Sequence, residues 1–169
     1  MTRSLKSMGM AGFTAAATAI GMPATLHFEG MKLVPYYDSV GVKTWCAGET
    51  QIGYKEKFTL GECINLFGIR YGWYSMQTAR MYSEVGAQYV TPPMHAAFTD
   101  MSYNVGTGAV AKSTMIRRIN AGDPRGACDA ILKYKYAGGQ DCSKPGNRTC
   151  PGIWKRRVQM HELCIKGMA

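Results

Sequence analysis

Residues 29–44 read Glu-Gly-Met-Lys-Leu-Val-Pro-Tyr-Tyr-Asp-Ser-Val-Gly-Val-Lys-Thr, and this stretch carries the strongest indication of fold and chemistry in the chain. An acid, Glu29, is followed after eight residues by a second acid, Asp38, and after five more by Thr44. Cleavage of a glycosidic bond needs one carboxyl group that is protonated and a second that is ionised. The spacing can supply such a pair.

The residues around this stretch predict a helix that ends near Glu29 and a short hairpin that follows it. Residues 36–38 and 42–45 favour two short strands, joined by a turn at 39–41. The three polar side chains would then lie on a helix end and two adjoining strands, facing one cleft. The apolar residues that suggest helical spacing around the first acid are Leu26, Phe28 and Leu33.

The rest of the chain predicts mostly helices. Thr59 and Glu62 form a capping-box pattern, and the apolar residues after them recur at helical spacing. Further helix starts are indicated by Thr91-Pro92, Ser113, Asp123-Pro124 and Pro151.

Composition and charge narrow the classes of partner. The chain has 169 residues, 46% of them hydrophobic, so it can bury one sizeable core without a second domain. Its net charge is +9, and residues 112–169 hold twelve Lys or Arg against four Asp or Glu. A cationic face attracts peptidoglycan, anionic phospholipid or nucleic acid. Nucleic acid lacks further support, because the basic runs at 112–118 and 155–157 are expected to be solvated helix faces.

Six cysteines form an even set without a CxxC pair or the histidine spacing of a zinc site. They indicate disulfides and therefore an oxidising compartment, although six cysteines allow 15 pairings. The three histidines are scattered, so no metal or other cofactor is expected. The cysteines are Cys46, Cys63, Cys128, Cys142, Cys150 and Cys164, and the histidines are His27, His95 and His161.

The N-terminal segment, residues 1–28, carries an unusual export pattern. Arg3 and Lys6 precede Ser7–Phe28, which are 22 residues without Asp, Glu, Lys or Arg. That length can cross a bilayer as a helix, but glycine, threonine and proline make it only weakly apolar. A good signal-peptide cleavage site is missing. The segment is either an uncleaved membrane anchor or a buried N-terminal helix of a soluble enzyme.

Four segments together resemble the phage lysozymes, or endolysins, of glycoside hydrolase family 24. They are residues 29–44, 97–106, 121–128 and 151–157, and the resemblance runs in order from about residue 25 to the end. It implies an α+β, mostly helical fold with two lobes, a small β-sheet lobe and a larger helical lobe. The lysozyme catalytic domain would span residues 29–169.

The resemblance also implies an activity: hydrolysis of the β-1,4 bond between N-acetylmuramic acid and N-acetylglucosamine in peptidoglycan. Glu29 matches the general acid, Asp38 the second carboxylate and Thr44 the threonine beside the attacking water. Asn104 matches a position that contacts the sugar, although a capping role is an alternative. The family often has Gly-His where this chain has Gly48-Glu49. We expect Glu49 to be a solvated strand-end residue, with an additional carboxylate of the cleft as the alternative.

The layout of the family, with proximity in sequence, favours the pairs Cys46–Cys63, Cys128–Cys164 and Cys142–Cys150. The N-terminal segment is similar to the signal-arrest-release anchors of some endolysins. It implies a monomer exported to the host periplasm and first tethered to the inner membrane through residues 7–28. One alternative is a lytic transglycosylase, which uses a single acid, so Asp38 argues against it. Another is an exported cationic protein that acts on membranes without catalysis.

Overall fold

The computed structural model describes residues 3–38 and 41–168 as a mostly helical protein with two small antiparallel sheets. The turn predicted at 39–41 lies partly outside these residues, since positions 39 and 40 are not described. The helices are α1 (Leu5–Met8), α2 (Met10–Glu29), α3 (Leu60–Ala79), α4 (Gly86–Tyr89), α5 (Pro92–Val105), α6 (Thr107–Ala111), α7 (Thr114–Asn120), α8 (Pro124–Asp129), continued by a 3-10 turn (Ala130–Lys133), and α9 (Pro151–Lys166). The strands are β1 (Lys32–Tyr37), β2 (Lys43–Cys46), β3 (Tyr136–Ala137) and β4 (Gln140–Asp141).

Local sequence signals set several helix starts as predicted. The Thr59 hydroxyl accepts a hydrogen bond from the Glu62 amide, and the Glu62 carboxylate accepts one from the Thr59 amide, which completes the capping box. The side chains of Ser113 and Asp123 accept hydrogen bonds from backbone amides at the starts of α7 and α8. These contacts satisfy amides that have no partner within the helix.

The hairpin follows α2 directly. β1 and β2 pair antiparallel, with Tyr36 opposite Thr44. The prediction that Leu33 continues the apolar face of the helix is wrong, because α2 ends at Glu29 and Leu33 lies exposed in β1. The helix ends there because Gly30 adopts a φ of +70°, a left-handed conformation that glycine tolerates without a steric cost.

The larger core surrounds α5, which packs against α2, α3 and α9. A smaller core lies under the hairpin, where Trp45 and Phe58 pack around the Cys46–Cys63 disulfide. α3 supplies Cys63 to this smaller core and packs against α2 and α5 of the larger one, so it joins a small sheet-bearing lobe to a larger helical lobe, which confirms the predicted fold class. Large side chains of the helical core include Phe13, Met94, Phe98, Met101, Met115, Ile119 and Ile131.

The N-terminal segment is part of this helical core. Phe13 and Ala17 on α2 are buried, and Thr25 on the same face is buried too. The structure therefore shows the second of the two arrangements considered for this segment, a packed N-terminal helix. Over residues 3–38 and 41–168, no helix combines the length and the hydropathy that crossing a membrane requires.

The six cysteines form the three expected disulfides. Cys46–Cys63 joins β2 to α3, Cys128–Cys164 joins α8 to α9, and Cys142–Cys150 closes the loop between β4 and α9. The predicted pairings are confirmed, and the described part of the chain holds no free cysteine.

Candidate active site

The C-terminal end of α2 opens onto a cleft of about 350 Å³. Glu29 enters this cleft from α2, Arg70 and Tyr74 from α3, and Tyr103 from α5. The loop after β2 closes the opposite side. Its contribution comes from Gly48, Thr50 and Gln51. A carboxylic acid at the wall of a cleft of this size is placed to act on a bound ligand.

A buried arginine holds the carboxylate of Glu29. Arg156 Nη1 donates a hydrogen bond to Glu29 Oε1 at 2.7 Å. Arg156 also binds Asp100 twice, from Nε to Oδ2 at 3.0 Å and from Nη2 to Oδ1 at 2.9 Å. Asp100 is fully buried and accepts a further hydrogen bond from the Thr25 hydroxyl at 2.8 Å. Burial opposes the charge of Arg156, but the hydrogen bonds and charges of both carboxylates raise the pKa of Arg156 above its ordinary value.

The prediction that the run at 155–157 is an exposed face is wrong for two of its three residues, since only Lys155 is exposed. Arg156 and Arg157 are both buried, because this face of α9 packs against α5. Arg157 donates to the carbonyl of Tyr134 and to Oδ1 of Asn104. Burial, with the charge of Arg156, lowers the pKa of Arg157 to about 10. Asn104 is bound by Arg157 and lies outside the residues that line the cleft, so its contact with a sugar stays a prediction.

Asp38 and Thr44 lie on the hairpin. Asp38 Oδ1 accepts a hydrogen bond from the Val42 amide at 2.8 Å. Thr44 is buried, and its hydroxyl donates to the Val42 carbonyl at 3.0 Å. The structure thus holds both predicted residues on the lobe that faces Glu29, yet neither belongs to the side chains that line the cleft. Their roles beside an attacking water stay predictions.

The expectation that Glu49 is solvated is wrong. Its side chain is only 4% exposed, and it accepts hydrogen bonds from Arg70 Nη2 at 2.7 Å and Nε at 3.1 Å. The amides of residues 50–52 donate to it as well. Burial tends to raise the pKa of Glu49, but these hydrogen bonds outweigh it and lower the pKa. Glu49 therefore fixes both Arg70 and the loop at 50–52 in the cleft wall.

Aromatic side chains form the remaining wall of the cleft. The Tyr103 hydroxyl donates a hydrogen bond to the Ala47 carbonyl at 2.9 Å, which ties α5 to the loop after β2. The rings of Tyr74 and Tyr103 lie with centroids 4.9 Å apart. Burial raises the pKa of Tyr103, so its hydroxyl stays protonated. Rigid rings with polar edges suit the apolar faces and hydroxyl groups of a sugar.

Asp100, Arg156 and Arg70 belong to the site but were not predicted from the sequence. A signal existed for Asp100, since a lone acid in the apolar stretch 94–101 indicates a buried charge that needs a partner. Nothing comparable marked Arg70, because its partner Glu49 is distant in sequence. No group of three or more metal-binding side chains lies together in the described residues.

Comparison with known proteins identifies the family. The phage lysozyme family model matches residues 26–159. The SAR-endolysin of Enterobacteria phage P21 is 34% identical over 141 residues, which cover 82% of this chain and 78% of that protein. The SAR-endolysin of Bacteriophage PS119 is 30% identical over 175 residues, which cover 99% of this chain and 98% of that protein.

Solved structures agree on the fold. A mutant of P22 lysozyme has a TM-score of 0.71 at 22% identity, covering 87% of this chain and 96% of that one. The muramidase domain of SpmX from Asticaccaulis excentricus has a TM-score of 0.72 at 17% identity, covering 86% of this chain and 95% of that one. The family match spans most of the sequence and includes both Glu29 and Arg156, so the chain belongs to the phage lysozyme family.

Proposed function

We propose that this phage lysozyme is an endolysin that hydrolyses the β-1,4 bond between N-acetylmuramic acid and N-acetylglucosamine and thereby lyses the host cell wall. The position of Glu29 carries the proposal, because its carboxyl group lies at the cleft wall at the end of a rigid helix. Membership of the phage lysozyme family and the similarity to SAR-endolysins support it.

In this proposal Glu29 is the general acid. Arg156 binds Oε1, so the proton for the leaving oxygen is carried on Oε2, and the guanidinium fixes the direction of the carboxyl plane. Asp100 in turn holds Arg156 with two hydrogen bonds. The arrangement gives an acid in a rigid orientation.

Asp38 and Thr44 are proposed to hold the attacking water. Both lie on the hairpin, and both are tied to the backbone of Val42, which fixes one relative to the other. An acid and a base separated by room for water, roughly 6.5–9.5 Å, invert the anomeric centre. We therefore expect the first product to be the α anomer.

Glu29→Gln tests the assignment, because it keeps the shape of the side chain and removes the acidic proton of the carboxyl group. Turbidity clearing of purified peptidoglycan should be abolished, with an unchanged circular dichroism spectrum. Glu84→Gln, at an exposed glutamate outside the cleft lining, is the matched control and should clear at the wild-type rate. Undiminished clearing by Glu29→Gln would remove Glu29 from the mechanism.

The chemistry of the product ends separates hydrolysis from the alternative reaction. A hydrolase leaves reducing muramic acid ends, and a lytic transglycosylase leaves anhydro-muramic ends. We expect reducing ends by mass spectrometry. Anhydro ends would make the protein a transglycosylase, and intact glycan with leaking vesicles would favour a membrane-active protein without catalysis.

The helix that carries Glu29 is also proposed to be the initial tether to the inner membrane. Residues 7–28 bear no Asp, Glu, Lys or Arg, and relatives that cover this chain are named SAR-endolysins. While these residues lie in a bilayer, Thr25 cannot bind Asp100, and Glu29 is held away from Arg156. Export to the periplasm in the tethered form would then keep the enzyme inactive until α2 leaves the bilayer and packs as in the structure.

Gly12 offers a clean test of tethering. A Cβ there meets no atom within 4 Å in the folded protein, so Gly12→Leu adds apolarity to the segment at an open position of the packed helix. Gly21 is unsuitable, because a Cβ would clash with the Tyr71 hydroxyl oxygen. Gly12→Leu should delay lysis and retain more protein in the membrane fraction. A periplasmic form that lacks about the first twenty residues by intact mass would show cleavage and contradict the proposal.

A further inference from the structure

The outer surface of α2 and α3 carries an apolar face that the catalytic proposal does not use. On α3, Ile69, Trp73 and Met76 are exposed by 63%, 48% and 52%. Their spacing of four and three residues places them on one side of the helix, opposite the buried Phe67 and Tyr71. Large apolar side chains in such a row mark a contact surface when they are contiguous.

α2 extends this face across a groove. The groove has a volume of about 610 Å³ and is lined from α2 mainly by alanine and threonine. The Thr14 hydroxyl donates to the carbonyls of Met10 and Ala11, which satisfies it within the helix. The lining residues are Ala11, Thr14, Ala15, Thr18 and Ala19 of α2 and Gly72, Ser75 and Met76 of α3. Met76 thus connects the groove to the apolar row on α3.

The charged side chains around this face are mostly cationic. Residues 3–28 and 63–83 contain four Arg or Lys, and the acids near the ends of the two helices are paired, Glu62 with Lys55 and Glu29 with Arg156. Three of the four, Arg3, Lys6 and Arg80, are exposed. Lys6 lies on α1, which packs against α2, and Arg80 caps α3 four residues beyond Met76. An apolar face with a cationic edge complements an anionic lipid surface.

Previous insertion of α2 in the membrane would not explain the exposed apolar row on α3. The exposed alanines of α2 are expected if that helix once crossed a bilayer, but α3 bears the capping box and the Cys63 disulfide and belongs to the folded lobe. Trp73 packs edge-on against Tyr74 with centroids 4.9 Å apart, so its indole is held at the surface. Tryptophan at the surface is typical of side chains that enter the headgroup region.

We propose that the folded enzyme docks on anionic phospholipid bilayers through this α2–α3 face, defined by Ile69, Trp73, Met76 and the groove beside them. The face rests on the lipid surface, with Arg80 and Lys6 among the headgroups. Docking keeps α2 packed in the protein, which distinguishes it from the tethered state. It does not depend on hydrolysis.

Co-sedimentation with vesicles tests the docking. The disulfide-bonded full chain should bind phosphatidylglycerol vesicles, bind pure phosphatidylcholine vesicles much less, and dissociate at high salt. Ile69→Ser should weaken partitioning about tenfold, which corresponds to about 1.4 kcal/mol. The matched control is Leu60→Ser, which lies on another side of α3 and is 55% exposed, and it should bind as the wild type does.

Tryptophan emission gives a second measurement. In a Trp154→Phe background, Trp45 is buried and its emission should stay constant on binding, so a blue shift and quenching by brominated lipid report Trp73. Glu29→Gln should bind vesicles as well as the wild type, which separates docking from catalysis.

Three outcomes would overturn the proposal. The first is failure of the wild type to bind anionic vesicles. The second is equal binding by Ile69→Ser and the wild type, which would assign binding to reinsertion of α2. The third is a dimer in sedimentation velocity that Ile69→Ser abolishes, without lipid binding, which would assign the face to a second copy of the chain.

Discussion

Replacing Arg156 by methionine should destabilise the protein strongly. The substitution removes three hydrogen bonds and leaves the carboxylate of Asp100, which is 0% exposed, without its cation. Breaking a buried pair from one side costs about 3–5 kcal/mol. At about 2–4 °C per kcal/mol for a chain of this size, Tm should fall by about 6–20 °C. Thermal unfolding followed by circular dichroism measures the fall.

A double variant separates stability from activity. Asp100→Asn with Arg156→Met removes both charges, and Thr25 can still donate to the amide oxygen at position 100. Most of the lost stability should return, because the double variant leaves neither charge of this pair buried without its partner. Peptidoglycan clearing should stay low, because Glu29 remains without its arginine.

The control is Arg125→Met, at an exposed arginine that pairs with Asp129. This substitution should lower the free energy of unfolding by less than about 1 kcal/mol, since solvent screens exposed ion pairs. A loss of about 1 kcal/mol or less in Arg156→Met would refute the reasoning. So would a double variant that is no more stable than the single one.

Three further predictions concern other parts of the fold. Glu49→Gln should make the loop at 50–52 more mobile, which limited proteolysis of that loop would detect. It should also lower activity through a raised KM, while the helix content stays unchanged. Removal of Cys128–Cys164 should lower the free energy of unfolding by about 1.3 kcal/mol more than removal of Cys142–Cys150, as measured by denaturant titration. The reason is that a disulfide restricts the entropy of the unfolded chain more when it closes a longer loop, and the two bridges join residues 36 and 8 positions apart. Burial lowers the pKa of His95 to about 3, below the value of about 6.5 in the unfolded chain. Between these two pH values the unfolded state therefore binds more protons than the folded state. The contribution of neutral His95 to the free energy of unfolding should be full above about pH 6.5 and should fall as the pH falls toward 3. The slope of Tm against pH should flatten in His95→Gln, and an unchanged slope would contradict the assignment.

The helix starts and the hairpin could be predicted because their signals are local. The capping box at Thr59 and the acid at Asp123 act on amides within a few residues, and each formed as expected. The helix end near Glu29 was also predicted. Its continuation to Leu33 was not correct, because a glycine with positive φ outweighed the apolar spacing.

The ion pairs of the site could not be derived from spacing. Glu49 and Arg70 are 21 residues apart, and Arg156 is 56 residues from Asp100. A buried charge looks like a solvated one in sequence until its partner is known. For that reason the prediction of exposed side chains failed for Arg156 and Arg157, in the basic run at 155–157, and for Glu49.

The hydrogen bond between Arg156 and Glu29 joins positions 127 residues apart, near opposite ends of the chain. A ribosome adds about 5–20 residues per second, so synthesis of the intervening chain takes about 6–25 seconds. During that interval Glu29 has been made and its arginine has not. A protein truncated before α9 carries the acid without the group that orients it. Synthesis of α9 is therefore a condition for an assembled site, independently of where the chain is later sent.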